Sequence, residues 1–274
     1  MTENKIDLKL DPQRTLVTLE KFLKGRLEES GFAGYIVALS GGIDTSLAAA
    51  IAVRAVGADR VHGVSMPYKS SQGEASNDAR LMANQLGIKL TEVELFRMID
   101  AYYPDAKSVN PLRVGNKVAR ERMAILFDQA YSTRLLVLGA VNRTEMALGY
   151  MTWYGDTACS LNLLGQLYKT QVRQLAVELN LPEKIRKKPP STNLWIGHSD
   201  EEELGLTFDA VDKFLHLVVD KGVNSRTELK NAGFDDHFID HAVAMSNKYY
   251  FKRNCPPMAD LGLPQLPDKI TIKK

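Results

Sequence analysis

The stretch from Tyr35 to Val56, YIVALSGGIDTSLAAAIAVRAV, constrains the fold of this chain more than any other part of the sequence. A short run of strand-forming residues leads into Ser40-Gly41-Gly42, and an Ala-rich helical segment begins near Asp44. A strand, a glycine-rich turn and a helix in this order direct the first backbone N–H groups of the helix at a bound phosphate. The glycines permit positive φ and remove the Cβ atoms that would obstruct the anion. The stretch therefore predicts a phosphate-binding loop.

Asp44 is the unexpected member of this loop, because a carboxylate beside a polyphosphate repels it. A Mg²⁺ ion held by Asp44 and facing the phosphates would remove that conflict. Hydroxyl groups on Ser40, Thr45 and Ser46 can donate further hydrogen bonds. No Lys follows the glycines, so the loop is not a Walker A motif, and it also lacks G-x-G-x-x-G. For the loop alone, a tight turn with a Ser or Asp helix cap stays open as the alternative.

The rest of the chain alternates short apolar runs with longer amphipathic ones. This alternation predicts a parallel sheet with helices on both faces, a doubly wound α/β fold. The predicted strands after the loop are 61–66, 88–95 and 134–140. The predicted helices are 16–28, 70–86, 116–131, 171–180, 208–219 and 234–250, with a short one within 181–193. The loop then lies at the carboxyl end of its strand, where such sheets bind ligands.

Length and composition limit the organisation and the partners of the chain. Its 274 residues predict one domain over 1–274, with 1–12 as a flexible lead-in and 255–274 as an extended tail. A net charge of +2 argues against nucleic acid as a partner. Two distant cysteines and a start without an apolar signal core predict a reduced, cytoplasmic protein. No apolar run approaches the roughly 20 residues that span a bilayer, so no membrane partner is expected.

Glu145 follows the predicted strand 134–140, in the segment NRTE. The carboxyl ends of parallel strands meet at one edge of a sheet, so Glu145 is expected near the loop, sharing a metal ion with Asp44. A solvated glutamate in a first helical turn is the alternative. His237 and His241 share a helix face, yet two histidines without a third ligand are more often surface polar groups. Cys159 is expected to be a small buried thiol.

Seven segments, in order and at similar spacing, make the chain resemble the ammonia-dependent NAD synthetases of the pyrophosphate-loop ATP pyrophosphatase superfamily. They are SGGIDTS, GNKVARERM, VNRTEMALGYMTWYGD, LYKTQVRQLA, KKPPSTNL, SDEEELG and FKRNCPP. The resemblance implies a Rossmann-like, adenine nucleotide alpha hydrolase-like sheet and a homodimer with the dinucleotide at its interface. It also implies Mg²⁺-dependent amidation of deamido-NAD with ATP and ammonia, through an adenylated intermediate, with release of AMP and pyrophosphate.

The resemblance also implies roles for individual residues. Asp44 and Lys169 match catalytic positions, and Asp44 and Glu145 match the metal ligands. The residues matched to ATP binding are Ser40, Gly41, Gly42, Ile43, Asp44, Thr45, Ser46, Ala140, Lys169 and Ser191. Those matched to deamido-NAD binding are Arg120, Trp153, Asp156, Ser160 and Lys252.

Several positions depart from the family pattern. Thr45 stands in place of a Ser, Ala140 in place of a common Thr, and Phe251 in place of a common His. Trp153 and Ser160 replace a Lys and an Asp that many ammonia-dependent members carry. These changes leave the identity of the acceptor substrate more open than the chemistry at ATP. A related ligase on another carboxylate and a non-catalytic adenine-nucleotide-binding module remain alternatives.

Two further expectations concern water and ammonia. An adenylated intermediate hydrolyses in water, so closing segments are expected at 69–74 and 182–200. Ammonia can arrive free or from a separate glutaminase subunit, and the sequence does not distinguish the two sources.

Overall fold

The computed structural model describes residues 6–69, 73–191 and 199–259. Within these ranges the chain forms a five-stranded sheet covered by helices. The strands are β1 (Gly34–Ala38), β2 (Val61–Ser65), β3 (Lys89–Glu92), β4 (Leu135–Gly139) and β5 (Leu161–Asn162). The helices are α1 (Pro12–Ser30), α2 (Ile43–Val56), α3 (Glu74–Leu86), α4 (Phe96–Tyr102), α5 (Pro111–Thr133), α6 (Arg143–Leu148), α7 (Lys169–Glu178), α8 (Glu183–Lys187), α9 (Asp200–Leu204), α10 (Phe208–Leu215), α11 (Arg226–Asn231) and α12 (Asp236–Lys248).

The sheet has the order β3-β2-β1-β4-β5, and every pairing is parallel. β1 lies at the centre, with Tyr35 opposite Val61 on one side and Leu136 on the other. The chain moves outward through β2 and β3 and then crosses to β4, so the strand order reverses beside β1. The predicted doubly wound sheet is confirmed, and its switch point lies at the strand that precedes the glycine-rich loop.

Alternate residues of β1 enter two different cores. Tyr35 and Val37 pack with α1 and α2, and the Tyr35 hydroxyl donates to the carbonyl of Leu23 at 2.6 Å. Ile36 packs on the opposite face, in a cluster that includes Leu126 of α5. A strand buried on both faces reads as a continuous apolar run, which is why the sequence pattern of β1 is clear.

A third core joins the C-terminal helices to α6. Phe208 and Phe214 of α10 are buried there, and Phe214 contacts the ring of Phe234 edge-on at 5.6 Å. Leu8 also belongs to this core, and its carbonyl accepts from Gln171 at 3.3 Å. The part of the expected lead-in that the structure describes is therefore packed against the domain.

Four short elements were not predicted: β5, α4, α6 and α11. Each has at most seven residues, too few to display a periodic pattern. α5 begins at Pro111, five positions before the predicted 116, because the Asn110 side chain caps the amide of Leu112 and proline fits the first helical turn. The predicted helix over 208–219 changes to a π-helix at His216–Asp220.

Some expectations fall on residues that lie outside the described ranges. This holds for the first positions of the predicted helix 70–86, for most of the tail 255–274 and for parts of the closing segments 69–74 and 182–200. Among the helices that the structure describes, none combines the length and the apolar character needed to cross a membrane.

Candidate active site

The glycine-rich loop makes a tight turn between β1 and α2. Gly41 has φ +75°, and a Cβ atom there would lie 2.7 Å from the Asp78 Cβ and 2.9 Å from the Ala75 carbonyl oxygen. A residue other than glycine would therefore be strained and would collide with α3. Ser40 and Thr45 close the turn, with their hydroxyl oxygens 3.1 Å apart.

Ser46, which was predicted to bind ATP, does not share the hydroxyl contact between Ser40 and Thr45. It is fully buried, and its hydroxyl has no hydrogen-bond partner among the described residues. Thr45, by contrast, is half-buried and places its hydroxyl beside that of Ser40. Of these two hydroxyl groups, the structure brings the one on Thr45 to the loop.

The loop opens on a cavity of about 840 Å³ at the carboxyl ends of β1, β2 and β4. Most of the predicted site residues share this cavity. Its lining includes Ser40, Gly42, Ile43, Asp44, Thr45, Ala140, Glu145, Asp156, Lys169, Ser191 and Lys252. Residues from both the N-terminal and the C-terminal half of the chain thus meet at the sheet edge where the topology predicts a ligand.

Asp44, Glu145 and Lys169 form a triad of ionisable side chains beside the loop. The Lys169 ammonium lies 2.5 Å from Asp44 Oδ2 and 3.7 Å from Glu145 Oε1. It is buried and also lies 5.2 Å from the centre of the Phe208 ring. Two acidic groups and one basic group from α2, α6 and α7 therefore converge on one point.

Asn142 holds two members of this triad, and the sequence interpretation missed it. Its side-chain amide donates to Asp44 Oδ1 at 3.0 Å. It also forms a capping box with Glu145. The backbone N–H of Asn142 donates to Glu145 Oε2, and the backbone N–H of Glu145 donates to Asn142 Oδ1, both at 3.0 Å. The pattern N-x-x-E is a helix-start signature, and it was the available signal.

Burial and charge act on the protonation of this triad. Burial raises the pKa of Glu145 to about 8, and the neighbouring Asp44 carboxylate adds to the rise. Burial alone would lower the pKa of Lys169, but Asp44 and Glu145 outweigh it, so that pKa is raised. The ammonium therefore stays charged, and the site favours an added positive charge beside Glu145.

The triad fits a Mg²⁺ ion in its donor chemistry. Asp44 and Glu145 already flank one cationic group, so both carboxylates face a shared point. Mg²⁺ commonly takes one or two protein carboxylates and completes its shell with phosphate oxygens and water. In the described ranges, His, Cys, Asp and Glu form no group of three or more that could hold a metal. Asp44 and Glu145 are a pair of carboxylates that fits this donor chemistry.

Asp156 and Lys252 lie in another part of the cavity. Asp156 accepts from the Thr152 amide at 2.7 Å, and burial raises its pKa to about 6. The Lys252 ammonium donates to the carbonyls of Gly149 and Met151, each at 2.8 Å. Burial lowers the pKa of Lys252, and Arg120 adds to this effect against the opposing charge of Asp156.

Three residues predicted to bind deamido-NAD lie outside the cavity lining. Arg120 is exposed, and its guanidinium donates to the carbonyl of Trp153 at 3.1 Å. The Trp153 ring stacks on Tyr154 at 4.6 Å and meets Phe251 edge-on. The exposed Ser160 accepts from the Val137 amide at 3.1 Å. Within one chain, these side chains form surface and sheet contacts instead.

Arg122 reaches the cavity where Arg120 does not. Its guanidinium donates to the carbonyl of Met66 at 3.1 Å, and burial lowers its pKa to about 10. Ala119 and Met123, three positions before and one after Arg122, also line the cavity. This helical spacing was the available signal, because it places Arg122 on the inner face of α5 and Arg120 off it.

The remaining candidates from the sequence are the histidine pair and Cys159. His241 lies 2.7 Å from the carbonyl of Leu204, so its Nε2 carries the proton and is unavailable to a metal. Cys159 is half-buried, and burial raises the pKa of its thiol to about 11. A thiol with this pKa is a poor nucleophile, which agrees with the expected packing role.

A parallel sheet, a glycine-rich loop at its switch point and a facing Asp-Glu-Lys triad define a nucleotide-binding α/β protein of the pyrophosphate-loop class. A model of the NAD synthase family matches residues 15–256, and this chain belongs to that family. The resemblance drawn from the seven segments is confirmed.

Relatives and solved structures agree with this placement. An NH(3)-dependent NAD(+) synthetase of Trichlorobacter lovleyi is 42% identical over 241 residues, which is 88% of each chain. The structure of the NH3-dependent NAD synthetase of Campylobacter jejuni matches with a TM-score of 0.78 at 28% identity, over 92% of this chain and 100% of that one. An NMN synthetase of Francisella tularensis matches with a TM-score of 0.81 at 26% identity and the same coverage.

Proposed function

We propose that this protein is a ligase that uses ATP and ammonia to amidate deamido-NAD to NAD, with release of AMP and pyrophosphate. The observation that carries the proposal is the convergence of Asp44, Glu145 and Lys169 beside the loop, in a cavity of about 840 Å³. Family membership supports the reaction type, because a relative 42% identical to this chain is named an NH(3)-dependent NAD(+) synthetase.

The phosphates of ATP would lie against the loop. Backbone N–H groups at the start of α2 and the hydroxyls of Ser40 and Thr45 face this position. Asp44 and Glu145 would hold Mg²⁺, which supplies charge neutralisation to the polyphosphate. Lys169 would pair with phosphate oxygens, because Asp44 and Glu145 would then be shared between its ammonium and Mg²⁺. Ala140 and Ser191 line the same cavity and are proposed to contact ATP.

In the first chemical step, a nicotinate carboxylate oxygen attacks the α-phosphorus of ATP and the bond to pyrophosphate breaks. Negative charge grows on the leaving pyrophosphate, where the loop amides and Lys169 stabilise it. The product is a mixed anhydride between the carboxylate and AMP. The protein contributes positioning and charge and forms no covalent bond with the substrate.

In the second step, the nitrogen of ammonia attacks the carbonyl carbon of the mixed anhydride. The bond to the AMP oxygen breaks, AMP leaves, and the nitrogen loses a proton to give the amide. Only neutral ammonia carries the attacking electron pair. The rate at a fixed total of ammonium should therefore rise with pH until another group limits it.

We further propose a homodimer with the dinucleotide at the subunit interface. The support is the position of Arg120, Trp153 and Ser160, which lie outside the cavity of the single chain while Asp156 and Lys252 line it. A second subunit would complete the acceptor site. Light scattering coupled to size exclusion tests this, and a monomer that retains full activity would refute it.

The decisive assay supplies ATP, Mg²⁺ and deamido-NAD and follows NAD, AMP and pyrophosphate, with ammonium compared with glutamine. We expect equimolar products with ammonium. Glutamine should support the reaction only if a separate glutaminase subunit is added. Pyrophosphate release that deamido-NAD does not stimulate would contradict the assignment.

The same chemistry on a mononucleotide is the second candidate. It is favoured by the structural similarity to an NMN synthetase and by the departures at Ala140, Trp153, Ser160 and Phe251. Nicotinate mononucleotide offers the same carboxylate without the second nucleotide half. Comparing kcat/KM for the mononucleotide and for deamido-NAD decides between them. A non-catalytic adenine-nucleotide-binding module would bind ATP and release no pyrophosphate with either acceptor.

A further inference from the structure

Asp212 of α10 is a fully buried carboxylate that does not line the cavity. In the described part of the chain it forms no ion pair with Lys, Arg or His. Burial raises its pKa, and hydrogen bonds from Thr144 and Thr170 oppose that rise. A buried carboxylate without a counter-ion is costly unless hydrogen bonds satisfy it, so its partners explain why it is there.

The hydrogen bonds of Asp212 can be assigned a direction. The Lys169 amide donates to the Thr144 hydroxyl oxygen at 2.9 Å, so the hydroxyl proton is free to point at Asp212 Oδ1, 2.5 Å away. The Thr170 amide donates to Asp212 Oδ2 at 2.7 Å. Both carboxylate oxygens therefore act as acceptors, which is the arrangement of an ionised carboxylate.

These bonds join the first turns of α6 and α7. Thr144 directly precedes Glu145 on α6, and Thr170 directly follows Lys169 on α7. The bond between the Lys169 amide and the Thr144 hydroxyl closes the connection. Asp212 thus connects the starts of the two helices that carry Glu145 and Lys169.

A second carboxylate on the same segment repeats the arrangement. Asp220 pairs with Arg143, the first residue of α6, and accepts from the hydroxyl of Tyr168, the residue before α7, at 3.0 Å. Phe208, one helical turn before Asp212, lies under the Lys169 ammonium. The segment 208–220 therefore contacts both helix starts at several points along its length.

We propose that Asp212 is a positioning residue for the reaction, which sets the distance between Glu145 and Lys169 by bridging the starts of α6 and α7. The inference rests on the proposed function for its kinetic consequence, while the bridge itself can be tested without any activity. Displacing one reacting group by about 1 Å can cost about 100-fold in rate, so a remote hydrogen bond can control catalysis.

The first test is hydrogen–deuterium exchange of the Asp212→Asn variant. An amide cannot accept both hydrogen bonds, since one of its two ends is a donor. We expect exchange in the first turns of α6 and α7 to accelerate about tenfold, while β1 and β4 keep their protection. Ile239→Val, in the same C-terminal core, is the matched control for a general loss of stability. Equal protection of the two helix starts in Asp212→Asn and wild type would overturn the bridge.

The second test is kinetic and uses the shared hydroxyl. At a temperature where every variant is folded by circular dichroism, Asp212→Asn and Thr144→Val should each lower kcat about 10- to 100-fold, with KM for ATP within about threefold. Thr144→Ser keeps the hydroxyl and should keep kcat. The double variant Thr144→Val/Asp212→Asn should lose no more than the worse single variant, because both remove the same bond.

The outcomes separate the two proposals. If wild type forms no NAD, the proposed function fails, and the exchange experiment still decides whether the bridge exists. If wild type is active but Asp212→Asn keeps kcat, or if Ile239→Val loses as much, Asp212 has only a structural role. Additive losses in the double variant would also refute positioning through Thr144.

Discussion

The two ends of the cavity are built differently. The phosphate side, formed by the loop with Asp44, Glu145 and Lys169, is complete within one chain, because its charged groups lie against one another and against Asn142. On the proposed acceptor side, Asp156 and Lys252 line the cavity, while Arg120 and Ser160 lie outside it and are exposed, and Trp153 belongs to an aromatic group with Tyr154, which is 51% exposed.

This difference is what the proposed homodimer predicts for the two sides. The ionisable groups of a buried site must be satisfied internally, since an unpaired buried charge is strongly destabilising. Aromatic and arginine side chains at a surface carry no such requirement and are frequent in interfaces. The phosphate side is therefore expected to tolerate few changes, while the acceptor side should respond to substrate and to a second subunit.

The largest effect is expected for Asp44→Asn. The variant keeps the shape of the side chain but removes its charge and the counter-ion of Lys169. We expect kcat to fall by about 100- to 1,000-fold. The measurement is pyrophosphate release at saturating ATP and deamido-NAD, with the exposed Asp59→Asn as the control. Wild-type turnover in Asp44→Asn, with an unchanged circular dichroism spectrum, would exclude Asp44 as a metal ligand.

Lys169→Met is expected to lower kcat by about 100-fold and also to weaken the fold. Asp44 and Glu145 would then face each other without a buried cation, which should reduce the free energy of unfolding by about 3 kcal/mol. Urea unfolding measures the second effect, and Lys213→Met on the exposed face of α10 is the control. If Lys169→Met kept full activity, the phosphate side would not depend on this charge.

Arg120→Met tests the acceptor side. If a second subunit brings the dinucleotide to Arg120, KM for deamido-NAD should rise about tenfold, with KM for ATP unchanged. The neighbouring Arg122→Met alters a residue that lines the cavity and contacts Met66, so it should disturb both substrates. Equal effects of the two variants on both KM values would remove the distinction between the two sides.

The smallest effect is expected from Asp156→Asn, in the pH dependence of stability. Burial raises the pKa of Asp156 from 3.8 to about 6, so between these values the folded protein binds this proton more tightly than the unfolded chain. Its contribution to stability therefore falls as pH rises from about 4 to 6 and is constant above. The Tm of Asp156→Asn relative to wild type should increase across this window. A constant difference would show that Asp156 keeps its ordinary pKa.

The sequence predicted the central part of the fold because that information is local. The apolar run of β1, the two glycines and the Ala-rich α2 are contiguous, and each part has a conformational preference of its own. By contrast, β5 pairs only through Leu161 and Asn162, and α6 has six residues. α6 packs against α10 and α12, and β5 pairs with β4, and no local pattern records these contacts.

The site shows the same division. Asp44 and Lys169 were identified from their motifs, yet they are 125 positions apart, and only the fold makes them an ion pair. The inner position of Arg122 on α5 depends on which face of that helix the sheet covers. Ser46 was assigned with Thr45 as a hydroxyl donor, and the turn of α2 buries it.

By itself, the sequence determined the parallel α/β architecture, the phosphate loop, the charged residues around it and the family. Strand and turn preferences act over a few residues, and motif spacing survives without knowledge of the fold. Only the tertiary structure decided that Asn142 reaches Asp44, and that Asp212 joins the helices that carry Glu145 and Lys169. These hydrogen bonds connect α2, α6, α7 and α10, and their geometry exists only after the cores have packed.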